Sequence, residues 1–222
     1  MKKWSAIPAT IITLLVPVIL VLSSIWLLIR PAFLDFEYGL KNFPADEYGF
    51  TKADRLMWGK PSVEYLNNAE DISFLANLKF ADGSPIYNER ELSHMADVKT
   101  LIQLMHKVLL AALIAFALLT LLAWRTRWMK RYWLAVASGG WLTLGLIGLI
   151  LAGTLINFDE LFTQFHHLFF SGDTWLFYAD DTLIRLFPLK LWSDAFIYMG
   201  VIAVVGLAAA ILLGNRAAKK CQ

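Results

Sequence analysis

Two histidine-bearing segments are the parts of this sequence best suited to chemistry. Residues 94–99 read HMADVK, and residues 165–170 read FHHLFF. Each segment lies beside a long apolar stretch, and histidine is the side chain whose ordinary pKa suits proton transfer near neutral pH. Two histidines from separate loops, brought together at a lipid surface, suggest acid–base chemistry on a lipid-linked substrate.

The first candidate is His94, which is followed three residues later by Asp97. On a helix this spacing places both side chains on one face, where the carboxylate can hold a ring N–H and favour the imidazolium. His94 would then be a general base oriented by Asp97. The same spacing fits an ordinary surface His–Asp pair without a catalytic role, and the residues alone leave both interpretations open.

The second candidate is His166, in a segment predicted to form an amphipathic helix. At about 100° per residue, six apolar residues share one face; they are Phe158, Leu161, Phe162, Phe165, Leu168 and Phe169. His166 falls at the border of that face, whereas His167 falls about 180° from Phe158 and is expected to face water. His166 is therefore either a second proton-transfer group or an interfacial histidine that only covers aromatic rings. His167 and His106 are interpreted as structural.

Two further segments carry polar residues of interest. Asp181 and Arg185 stand four residues apart at a predicted helix start, a spacing that suits an ion pair. Such a pair is either a surface salt bridge worth little or an arginine held ready for an anionic or carbonyl oxygen. Residues 43–50 are predicted to form a turn whose aromatic side chains, Tyr48 among them, pack on the loop that contains His166. Arg55 lies just beyond this turn.

Several chemistries have no support in the sequence. It contains no His-Glu-x-x-His zinc helix, no Gly-x-Ser-x-Gly elbow and no glycine-rich phosphate loop. The single cysteine, Cys221, falls on the predicted cytoplasmic side, which excludes an extracytoplasmic thiol nucleophile. A metal site built from His94, His166 and His167 lacks a recognisable spacing, and haem ligation by two histidines stays formally open. We expect no cofactor, no metal and no nucleic-acid partner.

Four charge-free runs must position these segments. Residues 4–29, 108–124, 132–158 and 195–215 contain no Asp, Glu, Lys or Arg, and 58% of the chain is hydrophobic. About 20 apolar residues cross a bilayer core as a helix. We therefore predict membrane spans over residues 1–30, 101–124, 132–157 and 195–215. They would be joined by a large first loop at 31–100, a short loop at 125–131 and an aromatic third loop at 158–194, with a tail at 216–222.

Charge segregation predicts the orientation of these spans. Nine basic residues and no acidic ones flank the spans on one side: Lys2, Lys3, Arg125, Arg127, Lys130, Arg131, Arg216, Lys219 and Lys220. The remaining 11 basic residues (20 − 9) and all 18 acidic ones fall in the first and third loops and their edges. Basic flanks stay on the cytoplasmic side. The prediction is an all-α polytopic membrane protein of four transmembrane helices, with both termini cytoplasmic and an extracytoplasmic cap formed by loops one and three.

Two helices are predicted around the first loop. The apolar spacing favours a helix over residues 62–78, preceded by a turn at Gly59-Lys60-Pro61. No Gly or Pro lies between Ile86 and Trp124. A helix that begins near residues 88–92 is therefore expected to continue unbroken into the second span, with His94 about two turns outside the membrane.

Four stretches of the sequence resemble the lipoprotein intramolecular transacylase (Lit) family of bacterial integral membrane proteins. They are residues 43–50, 94–99, 165–170 and 175–188, and the resemblance covers nearly the whole chain. It implies a four-helix membrane base under an extracellular cap, with two catalytic histidines that map onto His94 and His166. His167 occupies a variable place in that motif. The supporting or substrate-binding residues implied by these stretches are Tyr48, Asp97, Lys99, Phe170, Trp175, Asp181 and Arg185.

The resemblance also implies a reaction. The family moves the sn-2 acyl chain of a diacylglyceryl lipoprotein to the α-amine of its N-terminal cysteine, which gives a lyso-form lipoprotein in the bacterial cell membrane. The implied partners are that lipoprotein and membrane lipid. One histidine can take a proton while the other gives one, and the residues do not assign the two roles. The alternatives are a non-enzymatic lipid- or lipoprotein-binding scaffold and a haem or metal redox protein.

Overall fold

The computed structural model describes residues 5–220, so Lys2, Lys3 and Cys221 lie outside the described residues. Within that range the chain forms nine helices and no strand, with one isolated β-bridge between Lys79 and Pro85. The helices are α1 (Ala6–Leu28), α2 (Pro31–Glu37), α3 (Lys52–Asn67), α4 (Ser73–Ala76), α5 (Glu89–Arg125), α6 (Met129–Ile156), α7 (Phe158–Phe169), α8 (Thr182–Leu186) and α9 (Leu189–Lys220).

Four of these helices are long and apolar enough to cross a membrane: α1, α5, α6 and α9. Each of them contains all or most of one charge-free run of the sequence. The prediction of an all-α, multi-pass membrane protein with four spans is therefore confirmed. The position of the connecting loops as a cap on the extracytoplasmic side stays a prediction.

The chain divides into two compact units. The first, called the spanning unit, contains the described residues of Met1–Leu27, Met105–Leu155 and Phe196–Gln222, and the second, called the loop unit, contains Leu28–Leu104 and Ile156–Ala195. The two long loops thus contribute to one unit although about 50 residues of chain separate them. Both histidine segments belong to the loop unit.

The spanning unit packs its helices closely through small residues. A Cβ atom added at Gly139 of α6 would lie 2.5 Å from Cβ of Val16 and 2.9 Å from the carbonyl oxygen of Thr13, both in α1. Only glycine permits this approach, which is the usual way that helices associate in lipid. Nearby, Tyr132 is buried and its hydroxyl lies 2.8 Å from Thr120 Oγ1.

The loop unit has its own apolar core. Leu34, Tyr38, Val63 and Leu191 are buried together, and half-buried aromatic side chains pack around them. The Tyr38 hydroxyl donates a hydrogen bond to the carbonyl oxygen of Leu186. Residues from the first and third loops therefore share a single hydrophobic core, which orders both loops without a disulfide.

The helix predicted over residues 62–78 is wrong in its bounds. Helix α3 begins ten residues earlier, with a capping box between Thr51 and Asp54, and it ends at Asn67. Pro61 lies inside this helix rather than in the predicted turn. Tertiary packing outweighs the turn signal here: Gly59 fits against Leu34 (its added Cβ would lie 3.1 Å from Leu34 Cδ1), and Ser62 is fully buried.

Helix α5 confirms the predicted continuous helix. Its 37 residues correspond to about 55 Å, nearly twice the roughly 30 Å thickness of a bilayer core. The charge-free part of the helix begins at residue 108, so about 21 Å of helix separates His94 from the start of that part. The first four turns of α5, which carry His94, belong to the loop unit.

Helix α7 also confirms the sequence prediction, because it runs from Phe158 to Phe169. The Asn157 side chain caps it by accepting a hydrogen bond from the Glu160 backbone N–H. Its apolar face is divided between two surroundings. Phe162 and His166 pack inside the loop unit, whereas Leu168 is 76% exposed and Phe169 is 47% exposed.

Candidate active site

The structure brings His94 and His166 together in the loop unit. Their ring centroids lie 6.0 Å apart, and the rings are inclined by only 25°. Each residue is 8% exposed, although His94 is held by α5 and His166 by α7. Two histidines that are 72 positions apart in the sequence therefore share one buried place.

Aromatic rings surround His94. The centroid of Phe170 lies 5.1 Å from the His94 ring, and that of Phe177 lies 5.3 Å away in an edge-on contact. The Nδ1 atom of His94 is buried without a hydrogen-bond partner among the described residues. A charged imidazolium would be poorly stabilised in such surroundings.

His166 has similar surroundings but one polar contact. Phe162 lies 4.2 Å from its ring, Trp175 lies 4.8 Å away and Phe170 lies 5.5 Å away. The Nδ1 atom is 2.7 Å from the carbonyl oxygen of Phe162, one turn earlier in α7. A carbonyl oxygen only accepts hydrogen bonds, so this contact assigns the proton to Nδ1 and leaves a lone pair on Nε2 of the neutral ring.

Burial keeps both imidazoles in their neutral forms. It lowers the pKa of His94 to about 4, with a further lowering from the positive form of His166. Burial also lowers the pKa of His166, opposed in part by the hydrogen bond to Phe162. Among the described residues, no carboxylate contributes to either shift. The site therefore presents two uncharged imidazoles near neutral pH.

His167 occupies the outer side of α7, as the helical wheel predicts. It is exposed, and its one ring contact in the described structure is an edge-on approach to Trp175 at 5.2 Å. The buried and exposed histidines are thus neighbours in sequence but lie on different sides of the helix.

The predicted pair of His94 and Asp97 does not form. Asp97 is exposed, and no hydrogen bond or ion pair joins these two described residues. The two residues do lie on one helix at the predicted spacing, but the spacing could not show which part of that helix face other residues cover. His94 lies beneath the rings of Phe170 and Phe177, whereas Asp97 lies beyond the covered area.

Lys99 lies away from the histidine rings. It is buried, and its Nζ atom donates hydrogen bonds to Asn68 Oδ1 at 3.0 Å and to the carbonyl oxygen of Glu70. The ammonium also lies 3.9 Å from the centroid of the Tyr65 ring. These contacts hold the bend between α3 and α4, and the supporting or substrate-binding role of Lys99 stays a prediction.

The predicted ion pair between Asp181 and Arg185 is also wrong. Asp181 Oδ2 instead accepts a hydrogen bond from Arg90 Nη2 at 2.8 Å, and Asp181 Oδ1 accepts one from Asn88 at 2.9 Å. Arg185 binds the carboxylate of Asp46, with Nη2 to Oδ2 at 3.0 Å. Both residues bind partners from the first loop. Spacing within α8 alone could not predict these partners.

Asp46, Arg55 and Arg185 form a buried ionic cluster. Burial alone would raise the pKa of Asp46, but hydrogen bonds from Arg185 and from the Phe50 backbone, with the charge of Arg55, lower it overall. Arg185 also donates to the carbonyl oxygen of Tyr48 at 3.1 Å. The cluster lines a cavity of about 260 Å³ together with Tyr48, Pro188 and neighbouring residues of both loops.

Sequence reasoning missed the residues that hold the rings in place. Phe177 contacts His94, and Arg90 lies over the Phe177 ring at 5.5 Å. One local signal was available, because Asn88 and Glu91 have the spacing of a capping box at the start of α5. The contact of Phe177 with His94 had no such signal.

No group of three or more His, Cys, Asp or Glu side chains among residues 5–220 is arranged to hold a metal ion.

Comparison with known proteins identifies the family. The model of the family described as "Lipoprotein intramolecular transacylase Lit" matches residues 10–192 of this chain. An uncharacterised protein of Aquifex aeolicus is 28% identical over 172 residues, which cover 77% of this chain and 76% of that protein.

Solved structures of the lipoprotein intramolecular transacylase Lit from Bacillus cereus share the fold. One has a TM-score of 0.82 at 18% identity and covers 99% of this chain and 98% of its own. A variant of the same protein, in which one histidine is replaced by alanine, has a TM-score of 0.74 at 20% identity. That match covers 96% of this chain and 93% of the variant. The family match sets aside the non-enzymatic scaffold, and the chain belongs to the lipoprotein intramolecular transacylase (Lit) family and is a multi-pass membrane transacylase.

Proposed function

We propose that this transacylase moves the sn-2 acyl chain of a diacylglyceryl lipoprotein to the α-amine of its N-terminal cysteine, and that His94 and His166 are its two catalytic residues. The observation that carries this proposal is the pair of buried imidazoles with centroids 6.0 Å apart. Family membership supplies the reaction class, and the pair supplies the groups that can move a proton within it.

The proposed reaction balances without a co-reactant. The amine nitrogen attacks the carbonyl carbon of the sn-2 ester, a C–N bond forms, and the carbonyl oxygen takes up negative charge. The bond from that carbon to the glyceryl oxygen then breaks. Overall one proton moves from nitrogen to the glyceryl oxygen, and the products are an amide and a free hydroxyl on the same lipoprotein.

His166 is the better candidate for carrying this proton. Its Nδ1–H faces the carbonyl oxygen of Phe162, so Nε2 is free to accept a proton. The same carbonyl stabilises the imidazolium while it exists, because the Nδ1–H bond becomes charge-assisted. We assign to His166 both the uptake of the amine proton and its return to the leaving oxygen, as one imidazole can do in acyl transfer.

His94 suits a different task. Within residues 5–220 its Nδ1 atom has no hydrogen-bond partner, and burial lowers its pKa to about 4, so its ring stays neutral. A neutral imidazole can still donate one N–H to the developing oxyanion without being protonated first. We propose that the N–H of His94 stabilises the negative oxygen of the tetrahedral intermediate.

The surrounding rings favour transfer to the amine over hydrolysis. Phe170 lies against both histidines, and Trp175 covers His166. An apolar enclosure accepts acyl chains and admits little water, the competing nucleophile. Because the amine and the ester belong to one substrate molecule, holding them together is worth up to about 7–11 kcal/mol in ideal intramolecular cases.

The other predicted site residues divide into three groups. Phe170 and Trp175 are proposed to line the acyl site, because both contact a histidine. Tyr48, Asp181 and Arg185 are proposed to shape the loop unit around it through their polar contacts. Asp97 and Lys99 have no part in the proposed chemistry.

The charge pattern supports a matching orientation. Within the described residues, Arg125, Arg127, Lys130 and Arg131 connect α5 to α6 with no acidic neighbour, and α9 ends with Arg216, Lys219 and Lys220. Such flanks favour the cytoplasmic side. We therefore propose cytoplasmic termini and an extracytoplasmic loop unit that meets the lipid-linked amine of a lipoprotein at the outer surface of the membrane.

A labelled substrate tests the reaction. A synthetic diacylglyceryl lipopeptide, deuterated only in its sn-2 chain, is incubated with the purified protein and analysed by tandem mass spectrometry. We expect an unchanged total mass, with the deuterated chain attached to the cysteine nitrogen. The matched control is the same lipopeptide with an acetylated amine, which should not react. Labelled free fatty acid, or an amide formed from the sn-1 chain, would contradict the proposal.

A further inference from the structure

The segment between α7 and α8 covers both histidines. It carries Trp175, which packs on His166, and Phe177, which packs on His94. This segment forms no regular helix over residues 171–181. Because the segment has no regular structure of its own, its rings depend on contacts at its ends. Polar contacts at its carboxyl-terminal end bind it to the start of α5.

Asp181 is the first anchor. Its carboxylate accepts hydrogen bonds from Arg90 Nη2, from Asn88 Nδ2 and from the Tyr178 backbone N–H, each at 2.8–2.9 Å. The Asp181 side chain is 12% exposed and that of Arg90 is 38% exposed, so the carboxylate is covered mainly by its own partners. The anchor joins the end of the covering segment to the start of α5.

Glu91 is the second anchor. It is 1% exposed, and its two oxygens accept hydrogen bonds from the backbone N–H groups of Leu183 at 2.7 Å and Asn88 at 2.8 Å. The start of α8 is therefore bound to the start of α5 twice, once through Asp181 and once through Leu183. We call residues 88–91 with 181–183 the clasp.

Arg90 connects the clasp to the histidines. Its guanidinium lies 4.9 Å from the centroid of Tyr178 and 5.5 Å from that of Phe177, while Nη2 binds Asp181. Arg90 also stands four residues before His94, on the same face of α5. One side chain thus holds both the anchor and the ring that covers His94.

We propose that Arg90 is a positioning residue, which acts through Asp181 and Phe177 to keep the 171–181 segment closed over His94. The inference rests on the proposed catalytic role of the two histidines. It adds that closure depends on the clasp, and that substrate reaches the histidines when residues 171–181 move away from α5. Arg90 itself need not touch the reacting atoms.

The groups that face His94 show why the cover matters. Three rings contact His94: His166 in α7, Phe170 at the end of α7, and Phe177 in the covering segment. On the same helix as His94, the cation of Arg90 lies one turn earlier. Arg90 is paired with Asp181, and the aromatic groups are uncharged. Removing the Phe177 ring would admit water and restore the imidazolium of His94 as a stable form.

Chemical labelling tests the closure without any substrate. Diethyl pyrocarbonate acylates unprotonated, accessible imidazole nitrogen, and peptide mass spectrometry reports each histidine separately. In Arg90→Gln and Asp181→Asn we expect labelling of His94 to become about tenfold faster, a change that corresponds to about 1.4 kcal/mol. His167, which is exposed in the wild type, is the internal control and should keep its rate.

Activity gives the second readout. Arg90→Gln should lower kcat about 10- to 100-fold, because a misplaced catalytic group costs that much, and should move the acidic limb of the pH–rate profile to higher pH. Arg90→Lys should restore only part of the rate, because lysine keeps the charge but not the planar fork. Lys60→Gln is the matched control, since it breaks an exposed ion pair with Asp35 elsewhere in the loop unit.

The outcomes separate this inference from the proposed function. Faster His94 labelling with a shifted pH profile supports the clasp. Unchanged labelling and an unchanged profile in Arg90→Gln overturn it, whatever His94→Ala does. A fully active His94→Ala overturns the proposed function instead. If Arg90→Gln speeds the labelling of the half-buried His106 in the spanning unit as much as that of His94, the loss is general unfolding and the positioning role is rejected.

Discussion

The loop unit buries titratable groups in two different ways. Around Asp46, two arginines and a backbone N–H satisfy a carboxylate that is only 4% exposed. Around His94 and His166, buried to a similar degree, the neighbours are aromatic rings and one carbonyl oxygen. The first cluster keeps its charges at neutral pH, and the second keeps its groups uncharged.

This difference separates support from chemistry. A paired and fully hydrogen-bonded charge fixes a local shape and cannot easily accept or release a proton. An imidazole without a counter-ion can do so, because it is mainly desolvation that holds it in the neutral form. The ionic cluster is therefore interpreted as the frame of the loop unit, and the ring-lined pair as its reactive part.

Removing the charge at the centre of the ionic cluster should have the largest effect on stability. Asp46→Ala leaves Arg185 and Arg55 buried without their carboxylate, a change that typically costs about 3–5 kcal/mol. Urea or thermal unfolding in detergent would measure it. A loss below about 1 kcal/mol would show that the cluster is not the frame, and the contrast with the histidine site would fail.

The histidine site should make stability depend on pH in a specific window. Because the pKa of His94 is lowered from 6.5 to about 4, the unfolded chain binds its proton first as the pH falls. Stability from this group is complete above pH 6.5 and falls as the pH drops towards 4, by about 3 kcal/mol. In His94→Leu, the free energy of unfolding should depend less on pH over that interval. An equally steep curve in His94→Leu would contradict the assignment.

A smaller effect is expected from opening the enclosure of His166. Trp175→Leu removes the ring 4.8 Å from His166 but leaves both histidines in the chain. We expect a fall in rate of about tenfold and an acidic limb of the pH–rate profile that moves towards the ordinary pKa of histidine. Trp124→Leu is the control, because Trp124 is 64% exposed and lies in the spanning unit.

The smallest effect should come from an exposed ion pair. Lys60 Nζ and Asp35 Oδ1 are 2.7 Å apart, but their side chains are 36% and 51% exposed. Breaking such a pair costs less than about 1 kcal/mol. Lys60→Gln should unfold within that margin of the wild type, and a loss as large as that of Asp46→Ala would remove the distinction between buried and exposed charges.

The sequence predicted those features that depend on periodicity. Four charge-free runs became the four long helices, α7 formed over the predicted residues, and the helical wheel placed His166 and His167 on different sides. These features follow from local spacing, because a helix repeats every 3.6 residues and a bilayer has a fixed thickness.

The partners of the polar residues could not be predicted in this way. Arg185 faced two acidic candidates, Asp181 on its own helix and Asp46 in the other loop, and the structure pairs it with Asp46. Asp181 is occupied by Arg90, 91 positions away. Choices between near and distant partners depend on how two loops pack, which is a property of the whole unit rather than of either segment.

The most direct test of the central claim compares three histidines in one assay. His94→Ala, His166→Ala and His167→Ala are supplied with the deuterated lipopeptide, and the initial rate of transfer to the cysteine nitrogen is measured. We expect losses of about 10²–10⁴-fold for the first two variants and a rate within about twofold of wild type for the third, since His167 lies on the outer side of α7. Equal rates in all three variants, or a loss in His167→Ala as large as in His166→Ala, would contradict the account.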